Sequence, residues 1–200
     1  MTWDENLLQF QKKYGGSLLG SIYPYQPAGL LHTRFRGAEL TFYPSMVSNG
    51  NAAPTLWAAA AVPAELERPF SLSVKHRNKL IPQGLLADLE LCSTGRTELD
   101  GVLFTESDDP EFAKKVFLSS ELSDLLTRQK RYQFHIRPVV GSNTLHVVQA
   151  RTDWLRVLDG QLTGPGILSA PPDEERLLAV LEHLASLAAA GLDAVTRWPM

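Results

Sequence analysis

Apolar residues at the start of the chain recur with a helical period. Trp3, Leu7, Phe10 and Tyr14 fall at i, i+4, i+7 and i+11, the spacing that turns one helix face toward a core. Thr2 and Glu5 have capping-box spacing, so each side chain can satisfy a backbone donor at the helix start. Gly15-Gly16 follows, where positive φ costs little. The pattern predicts a helix over 2–14.

From Ser17 to Val74 the signals are those of strands. Gly29–Arg36 and Ala38–Tyr43 flank Gly37 and predict a hairpin. Pro44–Pro54, with Ser48-Asn49-Gly50-Asn51, predicts a polar loop. Thr55–Val62 predicts a buried strand, although its alanines also suit a short helix. Phe70, Leu72 and Val74 alternate with Ser71 and Ser73, as on a half-buried strand.

The run from Asp100 to Leu126 combines the end of a strand with an acidic helix start and two short amphipathic stretches. Leu80–Leu91 suggests a short helix interrupted by Pro82 and Gly84, and Thr97–Thr105 suggests a strand. Asp109 before Pro110 forms an N-cap and N1 pair, and Ser119-Ser120 restarts the helix before Glu121–Arg128. Tyr132–Arg137 alternates again, and Gly141-Ser142-Asn143 turns it into Thr144–Gln149 as a second hairpin. A Gly- and Pro-rich loop, Asp159–Pro172, precedes a last helix that carries Leu177, Leu181 and Leu184 on one stripe and closes at Gly191. Strands in hairpins outnumber helices. The fold class is α+β with a largely antiparallel sheet, an N-terminal helix, two short central helices and a C-terminal helix. The chain reads as one domain over 1–200, or as two lobes of roughly 1–80 and 81–200.

Composition narrows the setting. A chain of 200 residues with 44% hydrophobic content can bury ~70% of its extended surface without disulfides or metals. The single cysteine, Cys92, excludes a disulfide framework and a Cys-rich metal site, and fits a reducing, cytoplasmic setting. The N-terminus does not have the form of a signal peptide. The apolar stretches Leu56–Val62 and Ala185–Leu192 are shorter than the ~20 residues that span a bilayer, so no membrane insertion is expected.

The net charge of −3 argues against a dedicated nucleic-acid binder, yet charge is blocked along the chain. Residues 82–126 carry a local balance of −7 and residues 128–156 one of +5. Short basic clusters, Lys75, Arg77 and Lys79 in one and Arg128, Lys130 and Arg131 in the other, are candidate contacts for an anion or nucleic acid. A solvated loop explains each cluster as well.

Catalytic signatures are missing from the sequence. It has no phosphate-binding GxxxxGK[ST], no GxGxxG, no GxSxG elbow, no HExxH and no EF-hand loop. Gly160–Gly166 is Gly-rich but opens no strand-to-helix unit. Glu106-Ser107-Asp108-Asp109 has adjacent rather than alternating acids, which suits helix capping better than calcium. His135 and His146 can face one another across the second hairpin if the register allows, but two histidines do not complete a zinc site. No catalytic, cofactor-binding or metal residue is therefore assigned.

The stretch from about Arg68 to Leu192 resembles a recurrent bacterial α+β domain of unknown function. The residues that carry the resemblance are FSLSV, then LDGVLFTESDDPEFAKKVF, SSELSDLL and a hairpin, and finally DEERLLAVLEHLASLAAAG. The preceding HTRFRGAELTFY hairpin fits it as well. The resemblance implies the fold and brings no activity, cofactor or catalytic residue. Relatives of that type are often tied to membrane segments.

Three functional readings follow. The first is a non-catalytic interaction or ligand-binding module whose partner is another protein, with loops such as Val47–Ala53 and Asp159–Pro172 as recognition sites. The second is an enzyme assembled from distant residues, for which Cys92, His76, His135 and His146 are the titrating candidates. The third is weak nucleic-acid binding through the basic clusters. The sequence leaves the oligomeric state open.

Overall fold

Thr2 and Glu5 cap the first helix as their spacing predicts. In a computed structural model of the chain, the Glu5 N–H donates to Thr2 Oγ1 at 3.1 Å and the Thr2 N–H to Glu5 Oε2 at 2.7 Å. The structure describes residues 2–21, 28–49, 52–77, 89–158, 161–163 and 173–199. In chain order its elements are α1 (Trp3–Tyr14), β1 (Ser17–Leu19), β2 (Leu30–Phe35), β3 (Ala38–Asn49), β4 (Ala52–Glu65), β5 (Leu72–His76), β6 (Glu90–Leu91) and α2 (Thr97–Asp100). They continue with β7 (Leu103–Ser107), α3 (Pro110–Val116), α4 (Ser120–Arg128), β8 (Tyr132–Pro138), β9 (Leu145–Leu158), β10 (Gln161–Thr163) and α5 (Glu174–Thr196). The fold is α+β. Its antiparallel sheet has ten strands in the order β1-β2-β3-β4-β9-β8-β5-β7-β6, with β10 paired to β9. Contacts group the residues into two compact units that are discontinuous in sequence, one of Met1–Ala61 and Arg151–Ser186, the other of Val62–Ala150 and Leu187–Met200.

In the first unit, α1 lays Trp3, Leu7 and Phe10 on the sheet, all fully buried. Each such burial contributes about 2 kcal/mol. The Phe10 ring meets Phe42 edge-on at 4.7 Å and Tyr14 at 4.5 Å. The start of α1 is tied to Gly29 in both directions: Trp3 Nε1 donates to the Gly29 carbonyl at 2.8 Å, and the Gly29 N–H donates to Asp4 Oδ1 at 2.7 Å. Its end is held by α5, where Glu182 accepts from Lys13 Nζ at 2.6 Å and Tyr14 Oη at 2.8 Å. Asn6 lies on the same buried face, fully enclosed, and neither its oxygen nor its nitrogen has a partner among the described residues. The β2–β3 hairpin turns through Arg36 at φ 50° and Gly37 at φ 84°, the two positive angles of a type I′ turn.

The second unit pairs β5 with both β7 and β8. Helix α3 begins as predicted: the Phe112 N–H donates to Asp109 Oδ1 at 3.0 Å, with Pro110 in the first turn. Ser119 caps α4 by accepting from the Leu122 N–H at 3.3 Å. His146, fully buried, ties two segments together. Its Nε2 accepts from the Phe70 N–H at 3.0 Å while Nδ1 donates to the Thr144 carbonyl at 2.8 Å.

Several expectations need correction. Pro44 does not open a loop, because β3 continues through it to Asn49 and pairs Pro44 with Ala58. The β2 ladder ends at Leu31↔Phe42, so the missing proline N–H falls where β3 has lost its partner on that side. Thr97–Asp100 is helical rather than extended. The Asp100 carboxylate accepts from the Thr94 N–H at 2.7 Å and Thr94 Oγ1 at 2.8 Å, which folds 93–100 into a turn, and the strand starts only at Leu103. The helix expected over Leu80–Leu91 lies mostly outside the described residues, and Glu90–Leu91 at its end are a strand.

Gly191 does not close the last helix, which continues to Thr196. This helix is also longer than its most apolar stretch suggests: Glu175–Thr196 spans 22 residues with a mean hydropathy of 1.5. Length and composition alone would let it cross a bilayer. Leu181, Leu184, Ala185, Leu187, Ala188 and Ala194 are fully buried within the protein, the pattern of a core helix.

Candidate functional site

The basic residues singled out in the sequence are divided by the structure. Lys75 lies in β5, opposite Phe104 on one side and Gln133 on the other. Its ammonium stands 4.6 Å from the Phe104 ring centroid and 4.0 Å from the Glu106 carboxylate, and little of the side chain reaches solvent. Arg77 Nε donates to the carbonyls of Asp100 and Leu103, both at 2.9 Å. Lys79 lies outside the described residues. Arg128 ends α4, and Lys130 and Arg131 follow it on the surface, Arg131 at φ 74°. A 2.7 Å hydrogen bond from His76 Nε2 to the Leu126 carbonyl brings the end of β5 beside the end of α4. The two basic stretches therefore share one region, but Lys75 and Arg77 are committed to the fold there.

The titrating candidates are similarly engaged. Burial, reinforced by the Asp100 carboxylate, pushes the Cys92 thiol up to about 11, the opposite of an activated nucleophile. His146 is bonded at both nitrogens, as above. His135 and His146 do not face one another. Phe134 and Val148 both lie against α5 at Gly191; His146 shares the parity of Val148 along β9, whereas His135, next to Phe134, points to the other side. That side carries a polar row in which His135 pairs with Ser73 and Ser73 with Glu106. All three are buried. Among the described residues, no group of three or more His, Cys, Asp or Glu could hold a metal ion.

A cleft opens in the second unit. It lies between the end of β4 and the end of α5, encloses about 370 Å³, and is lined by Glu65, Leu66, Glu67 and the run from Val195 to Pro199. Each wall follows from local structure. Leu66 turns inward and its N–H donates to the Thr144 carbonyl at 2.9 Å, which leaves Glu65 and Glu67 exposed on either side. On the helix, Val195 is buried, Thr196 Oγ1 donates to the Leu192 carbonyl at 2.7 Å, and the Arg197 N–H donates to the Asp193 carbonyl at 3.1 Å. The Arg197 guanidinium pairs with the Asp193 carboxylate. Lys115 Nζ donates to the Pro199 carbonyl at 3.1 Å, pinning the segment beyond the helix.

Trp198 then stands 37% exposed at the wall of the cleft. Val140, fully exposed, occupies the tip of the neighbouring hairpin, which the Val139 N–H closes onto the Leu145 carbonyl at 2.8 Å. The electrostatic balance is negative. Glu65 and Glu67 are unopposed by any ion pair among the described residues, Asp193 offsets Arg197, and the C-terminal end of α5 adds partial negative charge. The residues of this cleft come from distant parts of the sequence, and the only local hint was an aromatic residue following a long apolar helix.

No family model matches the chain, and no curated protein matches it. Its fold is similar to that of the mycobacterial trehalose monomycolate transport factor A in a crystal structure. The TM-score is 0.53 at 8% sequence identity, over 98% of this chain and 97% of that one. At that identity the likeness is one of fold.

Proposed function

We propose that this protein is a non-catalytic binding module that holds a protein partner at the cleft between the end of β4 and the end of α5. The observation that carries this reading is Trp198, half-exposed in a cleft whose floor includes Leu66 and Val195. A large aromatic side chain held at a concave site is the kind of residue that dominates binding energy at protein interfaces. The raised Cys92 thiol and the doubly bonded His146 support a binding role over an enzymatic one. The similar fold belongs to a protein named a transport factor, which agrees with a role in binding.

The test is a paired capture experiment. The intact protein and its Trp198→Ala variant are immobilised at equal density and exposed to nuclease-treated lysate. Retained proteins are then quantified by mass spectrometry. The expected result is one protein held in near-stoichiometric amount by the intact chain and depleted at least about tenfold, roughly 1.4 kcal/mol, by the variant. Equal recovery on both would overturn the assignment of the cleft.

A further inference from the structure

Resting on that reading, we infer that the segment entering the cleft is basic and places a lysine or arginine side chain against Trp198, between Glu65 and Glu67. The chemistry of the lining points one way. Two exposed carboxylates flank an inward leucine, and the last residues of α5, Val195 and Thr196, line the same space, where the helix end carries partial negative charge. Among the described residues Arg197 is the one cation in the lining, and Asp193 neutralises it across one helical turn. The indole face of Trp198 supplies the second half of the recognition, since tryptophan is the strongest of the aromatic partners for a cation.

An anionic ligand would meet Glu65, Glu67 and the helix end, against which, among the described residues that line or bond to the cleft, only Lys115 at the Pro199 carbonyl stands as a cation outside an ion pair. A purely apolar one would leave both carboxylates desolvated and unpaired. The volume, about 370 Å³, lies in the range of roughly 300–1,000 Å³ that holds a small ligand or a few side chains. Leu66 and Val195 in the lining offer apolar surface for a residue beside the cation, which favours a peptide over a free small cation.

The probes are two blocked peptides, Ala-Lys-Leu-Lys-Ala and Ala-Glu-Leu-Glu-Ala, titrated into the full chain labelled with nitrogen-15. The readout is the indole N–H resonance of Trp198, assigned with the Trp198→Phe variant. The lysine peptide is expected to shift that resonance saturably, with affinity falling as salt is raised, and the glutamate peptide is expected to leave it in place. The double variant Glu65→Gln/Glu67→Gln should bind the lysine peptide at least about tenfold more weakly. An unmoved resonance, unchanged affinity in the double variant, or equally tight binding of spermidine would overturn the inference.

The capture experiment separates this inference from the reading beneath it. If a partner is retained in a Trp198-dependent way and the double variant retains it equally, the module stands and its basic partner falls. If the dependence on Trp198 is itself lost, both fall.

Discussion

Gly191 of α5 and Phe134 of β8 meet at a separation that only glycine permits. A Cβ at residue 191 would lie 2.4 Å from Cε2 of Phe134, 2.5 Å from its Cζ and 2.9 Å from Cγ1 of Val148. The Phe134 ring is fully buried and has nowhere to retreat. Alanine normally favours a helix interior over glycine by about 1 kcal/mol. Here overpacking, at about 1–3 kcal/mol, should outweigh that gain. Gly191→Ala is therefore expected to lower stability in urea unfolding, and the added Phe134→Leu change should restore part of the loss. A more stable Gly191→Ala protein would contradict this packing.

Asn6 leads to the opposite expectation. Its amide is fully enclosed beside Trp3, Leu7 and Phe10 on the buried face of α1 and finds no hydrogen-bond partner among the described residues. An unsatisfied buried polar group costs about 1–3 kcal/mol, whereas an apolar group of similar shape costs nothing of that kind. Asn6→Leu should raise the urea midpoint, with a gain of about 1–2 kcal/mol. A loss of stability would show that the amide is satisfied in solution.

Asp109 should make folding sensitive to acid. The Phe112 N–H, with Arg68 in support, holds its carboxyl below the usual 3.8. A carboxyl depressed in the folded state contributes stability that is complete above its unfolded pKa and disappears as pH falls through its folded value. Asparagine caps a helix nearly as well but carries no charge. Asp109→Asn is therefore expected to cost about 0.5–1 kcal/mol near pH 6 and almost nothing near pH ~2. Denaturation measured at both pH values checks this, and an equal cost at both would contradict the charge assignment.

Cys92 should be sluggish toward alkylation. With its thiol pushed up to about 11 by burial and by Asp100, the thiolate fraction at neutral pH is ~100-fold or more below that of a free thiol near 8.5. Iodoacetamide labelling should be slow at neutral pH, and its rate should still be rising above pH ~9. Rapid labelling that levels off near pH ~8.5 would restore the nucleophile reading.

The elements that were legible in the sequence are those governed by local chemistry. The Thr2–Glu5 box, the Asp109-Pro110 start, the Ser119 cap and the Gly37 turn each depend on residues a few positions apart. What escaped depends on tertiary partners. Pro44 is tolerated in β3 because β2 has already ended. Gly191 reads as a helix stop until Phe134 is seen packed against it. Thr97–Asp100 looks like the start of a strand unless the Asp100 bonds to Thr94 are known. The cleft was invisible for the same reason, since Glu65 and Trp198 become neighbours only when β4 and α5 end at the same place. The basic clusters are contiguous in sequence, yet Lys75 packs on Phe104 within the sheet and Arg77 bonds the carbonyls of Asp100 and Leu103.

Photo-crosslinking from within the cleft tests whether a protein partner occupies it. Benzoylphenylalanine is placed at Thr196, exposed on the cleft wall, and in a control at Lys12, exposed on α1, in cells that express the protein. A discrete protein adduct is expected from residue 196, absent from residue 12 and lost when Trp198→Ala is added. The same adducts from both positions, or none from residue 196, would contradict it.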